Sequence, residues 1–152
     1  MFREAKNSDV ELILYFIREL AEYEKMSNQV YATKELINKW IFEEKKAEVI
    51  FIMEQNKEIG MALYFYNFST FLGKPGLYIE DIFIMKEFRN KGYGKKTFKF
   101  LAQKAVETGC GRMEWVCLDW NQSSIDFYES LGARQLDEWK IFRLTEENLK
   151  NM

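Results

Sequence analysis

Two carboxylates, Glu80 and Asp81, interrupt the apolar run Leu77–Met85, and shortly afterwards the chain reads Arg89-Asn90-Lys91-Gly92-Tyr93-Gly94-Lys95. Carboxylates in an apolar setting can bind a cation or take up its proton. A basic loop punctuated by glycine can turn consecutive amides toward one anion, because glycine admits positive φ and close backbone approach. A helix after such a loop adds its free N-terminal amides and the positive end of its dipole. The segment therefore sets an anion cradle beside an acidic site, suiting a phosphate-bearing molecule that meets a cationic one. Adjacent strand residues point to opposite faces, so Glu80 and Asp81 can share one site only if the strand is bulged.

Spacing narrows the anion. A nucleotide P-loop requires G-x-x-x-x-G-K-[ST], but Arg89 stands at its first glycine and Lys96 at its hydroxyl position. A dinucleotide fingerprint requires G-x-G-x-x-G, and Thr97 occupies its third glycine. Both fail. Composition narrows the chemistry further. There is no histidine among the 152 residues, which removes Ser-His and Cys-His dyads and imidazole metal sites; no metal site is expected. Cys110 and Cys117 do not form a C-x-x-C pair and read as buried thiols in a reducing cytoplasm. No signal peptide or long apolar run is visible, which argues against a membrane location. The net charge is −2, yet Lys86, Arg89, Lys91, Lys95, Lys96 and Lys99 cluster against Glu87 alone. A local basic patch in an acidic protein fits a discrete anionic ligand better than a nucleic acid. Lys96 and Lys99 read as a solvated helix face.

The elements that must position these residues follow from periodicity. The length predicts a single domain over residues 1–152, and the 47% hydrophobic content is ample for its core. Phe2 to Ala5 is a short strand. Ser8 to Glu11 has the S-x-x-E form of a capping box, opening a helix that runs to about Tyr23. A second helix spans Thr33 to Phe42. Ala47 to Glu54 and Glu58 to Phe68 form a hairpin turned by Gln55-Asn56-Lys57. Ser69 to Gly76, with the only proline, is a loop. Leu77 to Met85 is a strand, Lys95 to Thr108 a helix, Arg112 to Leu118 a strand and Ser123 to Leu131 a helix. Ala133 to Leu144 reads as two final strands around Asp137-Glu138, before a short terminal helix or tail. This order indicates an α/β (α+β) domain with a mixed sheet, in which Leu77 to Leu118 is a right-handed parallel crossover.

The pattern R-x-x-G-x-G at Arg89 to Gly94 resembles the pyrophosphate signature of the GNAT superfamily of acetyl-CoA-dependent N-acetyltransferases. L-Y-I-E-D-I-F-I-M before it, D-W-N-Q-S-S-I-D-F-Y at Asp119 to Tyr128, and R-E-L-A-E-Y-E-K-M-S-N-Q-V at Arg18 to Val30 resemble the diamine acetyltransferase branch, the spermidine/spermine and thialysine enzymes. The likeness spans nearly the whole chain and departs mainly in the loop of Thr70 to Gly76. It implies a GNAT fold with a bulged, splayed strand pair and helices on both faces. It implies direct transfer of acetyl from acetyl-CoA to a primary amine of a polyamine, diamine or lysine-like acceptor. By the same resemblance, Tyr128 is the general acid, and Glu80 binds and helps deprotonate the amine. Asp81, Tyr23 and Glu24 complete the acceptor site. Ile82, Phe83 and Ile84 offer backbone groups to the pantetheine arm, Asn121 and Ser124 contact the same arm, and Arg89, Asn90, Lys91, Gly92, Tyr93, Gly94 and Lys95 hold the pyrophosphate. Trp120 either lines the tunnel or packs. A homodimer is implied as well. Two other classes stay open: a non-catalytic acyl-CoA-binding sensor, and a partner-binding domain using the basic loop.

Overall fold

Two successive left-handed residues, Gln55 (φ 47°) and Asn56 (φ 64°), close the first hairpin, a conformation whose twist matches that of the flanking strands. The computed structural model describes all 152 residues. The chain divides into two compact units, Met1–Leu118 and Asp119–Met152.

The first unit holds the sheet. Its strands are β1 (Phe2–Glu4), β2 (Glu48–Glu54), β3 (Lys57–Ser69), β4 (Lys74–Ile84) and β5 (Arg112–Trp115), in the order β1-β2-β3-β4-β5. All neighbours are antiparallel except β4 and β5, so the sheet is mixed as expected. Helices α1 (Val10–Tyr23) and α2 (Lys34–Ile37) and the π-helical turn Asn38–Glu43 precede β2, and α3 (Tyr93–Glu107) links β4 to β5.

Alternation along the strands divides the core between two faces. Val49, Phe51, Met61 and Phe83 meet Ile13, Leu14 and Phe16 of α1 and Ile37 of α2. The rings of Phe51 and Phe83 lie 6.2 and 6.1 Å from that of Phe16. Ile52 and Ile59 meet Tyr93 of α3 on the other face, where Phe98 also packs edge-on against Trp115 at 4.9 Å.

Several boundaries differ from the sequence reading. β4 begins at Lys74, so the expected loop of Ser69 to Gly76 shrinks to a tight turn. Pro75 and Gly76 are strand residues paired with Phe68 and Asn67. A proline carbonyl still accepts, and that of Pro75 takes the amide of Gly111 at 2.9 Å. The Ser8-x-x-Glu11 box does not form. The carboxylate of Asp9 accepts the Lys6 amide at 2.8 Å and a fork from the Arg3 guanidinium, while Glu11 pairs with Lys34.

The second unit contains α4 (Gln122–Ser130) and α5 (Glu146–Lys150). Asn121 caps α4 by accepting the Ser124 amide, and Thr145 caps α5. The two strands expected within Ala133 to Leu144 are absent. Lys140 to Leu144 keeps an extended-strand composition, but its unit has no strand to pair with, and Trp139, Ile141 and Phe142 are largely exposed.

Gly60 on β3 is required for close approach: a Cβ there would lie 2.2 Å from the Phe83 carbonyl oxygen of β4, a backbone atom that cannot swing aside. Gly60→Ala is expected to destabilise the protein by about 1–3 kcal/mol, seen as a lower urea midpoint at unchanged slope. An unchanged midpoint would mean that β3 and β4 can separate there at little cost.

Candidate active site

The resemblance places a bulge at the two carboxylates, and the register supplies it. Leu63 pairs with Asp81 but Tyr64 pairs with Ile79, so Glu80 is an extra residue in β4. Directly opposed residues share a face. Ile79 therefore lies with Tyr64 on the α3 side, where the Lys104 ammonium sits over the Tyr64 ring. Asp81 lies on the α1 side with Leu63, which packs on the α1 cluster. In a regular strand Ile79 and Asp81 would share a face.

That displacement brings Asp81 to the C-terminal end of α1. Burial pushes its carboxyl up to about 7, and the nearby charges of Glu80 and then Glu24 add to the effect. Burial also raises the carboxyl of Glu24, whereas Glu80 is exposed. Carboxylates from two elements, Glu80 of β4 and Glu24 at the end of α1, thus both act on Asp81. Such a group can hold a cation, and a carboxyl titrating near neutrality can accept its proton. Cys117 belongs to the same neighbourhood. Its thiol is pushed up by partial burial and by Glu24, although the residue as a whole is exposed. The expectation of two buried thiols is thereby corrected: Cys110 is half-buried and Cys117 exposed. Its composition held no cue, because β5 ends at Trp115 instead of Leu118 and so leaves Cys117 outside the ladder.

The strand pair diverges at the same level. The last partners of β4 and β5 are Ile79 and Trp115, while β4 continues to Ile84. Beyond Ile79 no strand flanks that side of β4, along Ile82, Phe83 and Ile84. The side chain of Phe83 is buried and those of Ile82 and Ile84 are half-buried.

After β4 a short turn, Lys86–Phe88, leads into the glycine loop. Asn90 (φ 62°) and Gly92 (φ 85°) are left-handed, and Gly92 is the N-cap of α3. α3 starts at Tyr93, two residues before the expected Lys95, so the loop lies directly on its free amides. Gly94 falls in the first helical turn. Tyr93 is buried in the core, and its phenol donates to the Glu54 carboxylate. Its side chain therefore anchors the helix start and only its backbone faces the loop. Thr97, at the failed third-glycine position, is fully buried and donates its hydroxyl to the Tyr93 carbonyl at 2.8 Å. Lys91 lies over the Phe88 ring, and Lys95, Lys96 and Lys99 are exposed. The Arg89 guanidinium turns toward α1: its Nε donates to the Ile84 carbonyl at 2.7 Å and its centre lies 4.8 Å from the Tyr23 ring.

In the second unit, Asn121 and Ser124 engage each other in the α4 cap. Tyr128 is half-buried beside Phe127, with ring centroids 5.7 Å apart. The end of α4 is closed by Gly132 at φ 93°, with the Ala133 amide donating to the Tyr128 carbonyl at 3.2 Å. Trp120 is about half exposed, at 48%.

Residues 14–133 match the acetyltransferase (GNAT) family. A thialysine N-epsilon-acetyltransferase of Bos taurus is 37% identical, with 100% of this chain and 96% of the relative aligned. An L-ornithine N5-acetyltransferase of Arabidopsis thaliana is 46% identical over 60% of this chain and 40% of the relative. Among solved structures, an integron cassette protein from the mobile metagenome of V. cholerae superposes with a TM-score of 0.82 at 25% identity, covering 99% of this chain and 95% of that one. With the mixed, bulged sheet, these likenesses establish that the chain belongs to the GNAT family and is an acetyltransferase.

Proposed function

We propose that this acetyltransferase moves acetyl from acetyl-CoA to the primary amine of a small cationic acceptor, by direct attack in a ternary complex. The observation that carries the reading is the carboxylate group of Glu24, Glu80 and Asp81, set by the bulge beside the open side of β4. Thialysine and ornithine, named by two relatives, both end in a primary amine, and an acceptor of that kind suits this group of carboxylates. A polyamine has the same terminal group.

The donor fits what surrounds that group. The unflanked stretch Ile82 to Ile84 offers backbone groups to a pantetheine arm, and the left-handed residues Asn90 and Gly92 with the first amides of α3 suit a pyrophosphate. Asn121 and Ser124 are assigned to the pantetheine arm by their place in the motif. Bound acetyl-CoA supplies an acyl group that is already activated, so the protein needs no nucleophile of its own. What the chain must do is hold the amine and manage protons. Glu80 and Asp81 hold the ammonium, and Tyr23 and Glu24 extend the acceptor site. Of the two strand carboxylates, half-buried Asp81 is better matched than exposed Glu80 to take up the proton near neutral pH. Tyr128, at the tyrosine position of the D-W-N-Q-S-S-I-D-F-Y motif, keeps a proton on its phenol oxygen for the departing thiolate. The resemblance further supports a cytoplasmic homodimer, and the exposed Trp139, Ile141 and Phe142 are consistent with a partner surface.

Release of free thiol from acetyl-CoA against a panel of thialysine, ornithine, spermidine and spermine tests this reading directly. No thiol release with any amine of the panel, while coenzyme A still binds, would favour the acyl-CoA-binding sensor, and failure to bind coenzyme A would remove the donor. Tyr128→Phe is expected to lower turnover roughly 100-fold with coenzyme A affinity nearly intact; unchanged turnover removes it as the acid. Glu80→Gln should raise the KM for the amine selectively, and an equal loss of donor affinity would contradict its role.

Asp81 gives the enzyme a pH signature. Amine kcat/KM should fall as pH drops through about 7 and the carboxylate gains its proton, a step that Asp81→Asn abolishes. Stability runs the other way. The folded-state pKa lies above the unfolded value of 3.8, so the native state binds the proton more tightly. The associated stability is complete below pH 3.8 and is lost as pH rises through about 7. Asp81→Asn should therefore raise Tm above that of the parent at pH 8, by several degrees, with the gap closing toward pH 4. A gap that does not change with pH would show that Asp81 titrates normally.

A further inference from the structure

Arg89 belongs by sequence to the basic glycine loop, yet its side chain bridges to the acceptor end. Its Nε donates to the carbonyl of Ile84, the last residue of β4. Its guanidinium centre lies 4.8 Å from the ring of Tyr23, the last residue of α1, and 5.3 Å from the ring of Phe83. One half-buried side chain thus joins the loop, β4 and α1.

The α1 end is a place where such a tie has consequences. After Tyr23 the helix terminates through Lys25, a non-glycine residue in the left-handed region at φ 60°. The Met26 amide then closes back on the Ala21 carbonyl at 2.8 Å. A left-handed lysine is disfavoured by sterics, so contacts around it must hold this turn. Glu24 lies within it, and Glu24 is one of the charges felt by Asp81. The orientation of Tyr23 therefore bears on where Glu24 sits relative to Asp81.

We propose that Arg89 is a positioning residue for the amine acceptor, docking the C-terminal turn of α1 onto the loop so that donor binding and acceptor binding are coupled through the Arg89–Tyr23 stack. The proposal rests on the acetyltransferase reading above. When a pyrophosphate orders the loop, it also fixes the guanidinium, which seats Tyr23 and with it Glu24. Linkage makes the coupling reciprocal: what loosens the α1 end must weaken the donor as well. A guanidinium–aromatic contact of this kind accounts for roughly 3- to 30-fold in a binding constant. Lysine does not substitute, because it lacks the planar face that stacks on tyrosine.

The test uses the full chain and coenzyme A alone as the donor probe, with affinity read by calorimetry. Tyr23 lies outside the glycine loop, so a purely local account gives it no effect on coenzyme A. Tyr23→Leu is expected to weaken coenzyme A roughly 3- to 10-fold, while Tyr23→Phe, which keeps the ring, restores the parent affinity. Arg89→Lys should raise the amine KM for the best acceptor of the panel as well as the donor constant. The double variant Tyr23→Leu/Arg89→Lys should be little worse than the poorer single variant, since both remove one contact. Coenzyme A affinity unchanged in Tyr23→Leu, or additive effects in the double variant, overturns the coupling while leaving the acetyltransferase reading in place. A parent protein that does not bind coenzyme A overturns the proposed use of acetyl-CoA as donor, and the coupling with it. Rescue by Tyr23→Phe separates the stack from general loss of folding.

Discussion

The bulge at Glu80 decides which face of the sheet each later residue of β4 meets, and the site depends on that decision. Without the extra residue, Asp81 would follow Ile79 onto the α3 face, and Phe83 would leave the α1 cluster. With it, the apolar pattern switches faces between Ile79 and Asp81, so that both sides of the sheet keep a continuous core. The same point is where β4 loses β5 as a neighbour. One local irregularity thus exposes a stretch of backbone and aims a carboxylate at the helix beside it.

That arrangement is costly, which argues that the rest of the core must offset it. Raising a carboxyl from 3.8 to about 7 corresponds to a penalty on the order of 4 kcal/mol when it is ionised. Each large apolar side chain fully buried contributes about 1.5–3 kcal/mol. Phe51 and Phe83 of the sheet, buried together with Phe16 of α1, are enough to hold the strand in a register that strains its acidic residue. The cationic side of the molecule is arranged differently. Lys91, Lys95, Lys96 and Lys99 remain near solvent, where charge is inexpensive, and Arg89 alone is drawn inward.

Much of this was legible in the chain. The apolar runs Ala47 to Glu54 and Glu58 to Phe68 around a polar turn marked a hairpin whose first strand is buried on both faces, and helical spacing from Val10 to Tyr23 marked α1, because it reports a single buried face. The glycine loop was legible as well, since Gly92 occupies a left-handed position that the chemistry of glycine announces. Other readings failed for identifiable reasons. Pro75 suggested a loop, yet it pairs with Phe68 beside the turn of the hairpin, one residue before β5 joins β4 at Gly76, where its missing amide is tolerated. Ser8 and Glu11 had capping-box spacing, but Asp9 was already committed to Arg3 and the Lys6 amide. The segment from Ala133 to Leu144 had strand composition without a strand to join. Cys117 looked like a core thiol because nothing local shows where a strand loses its neighbour.

By itself the sequence determined the class of sheet, the helix that opens on the glycine loop, the absence of imidazole chemistry and the family to which the motifs point. These are properties of residue type and short spacing, which need no distant partner. Only the tertiary structure decided that Asp81 and Cys117 lie within the field of Glu24, and that Arg89 lies on Tyr23. Each of these relations joins elements far apart in the chain. Their geometry comes from register and packing, and a displacement of one residue in β4 would redirect its side chains to the opposite face.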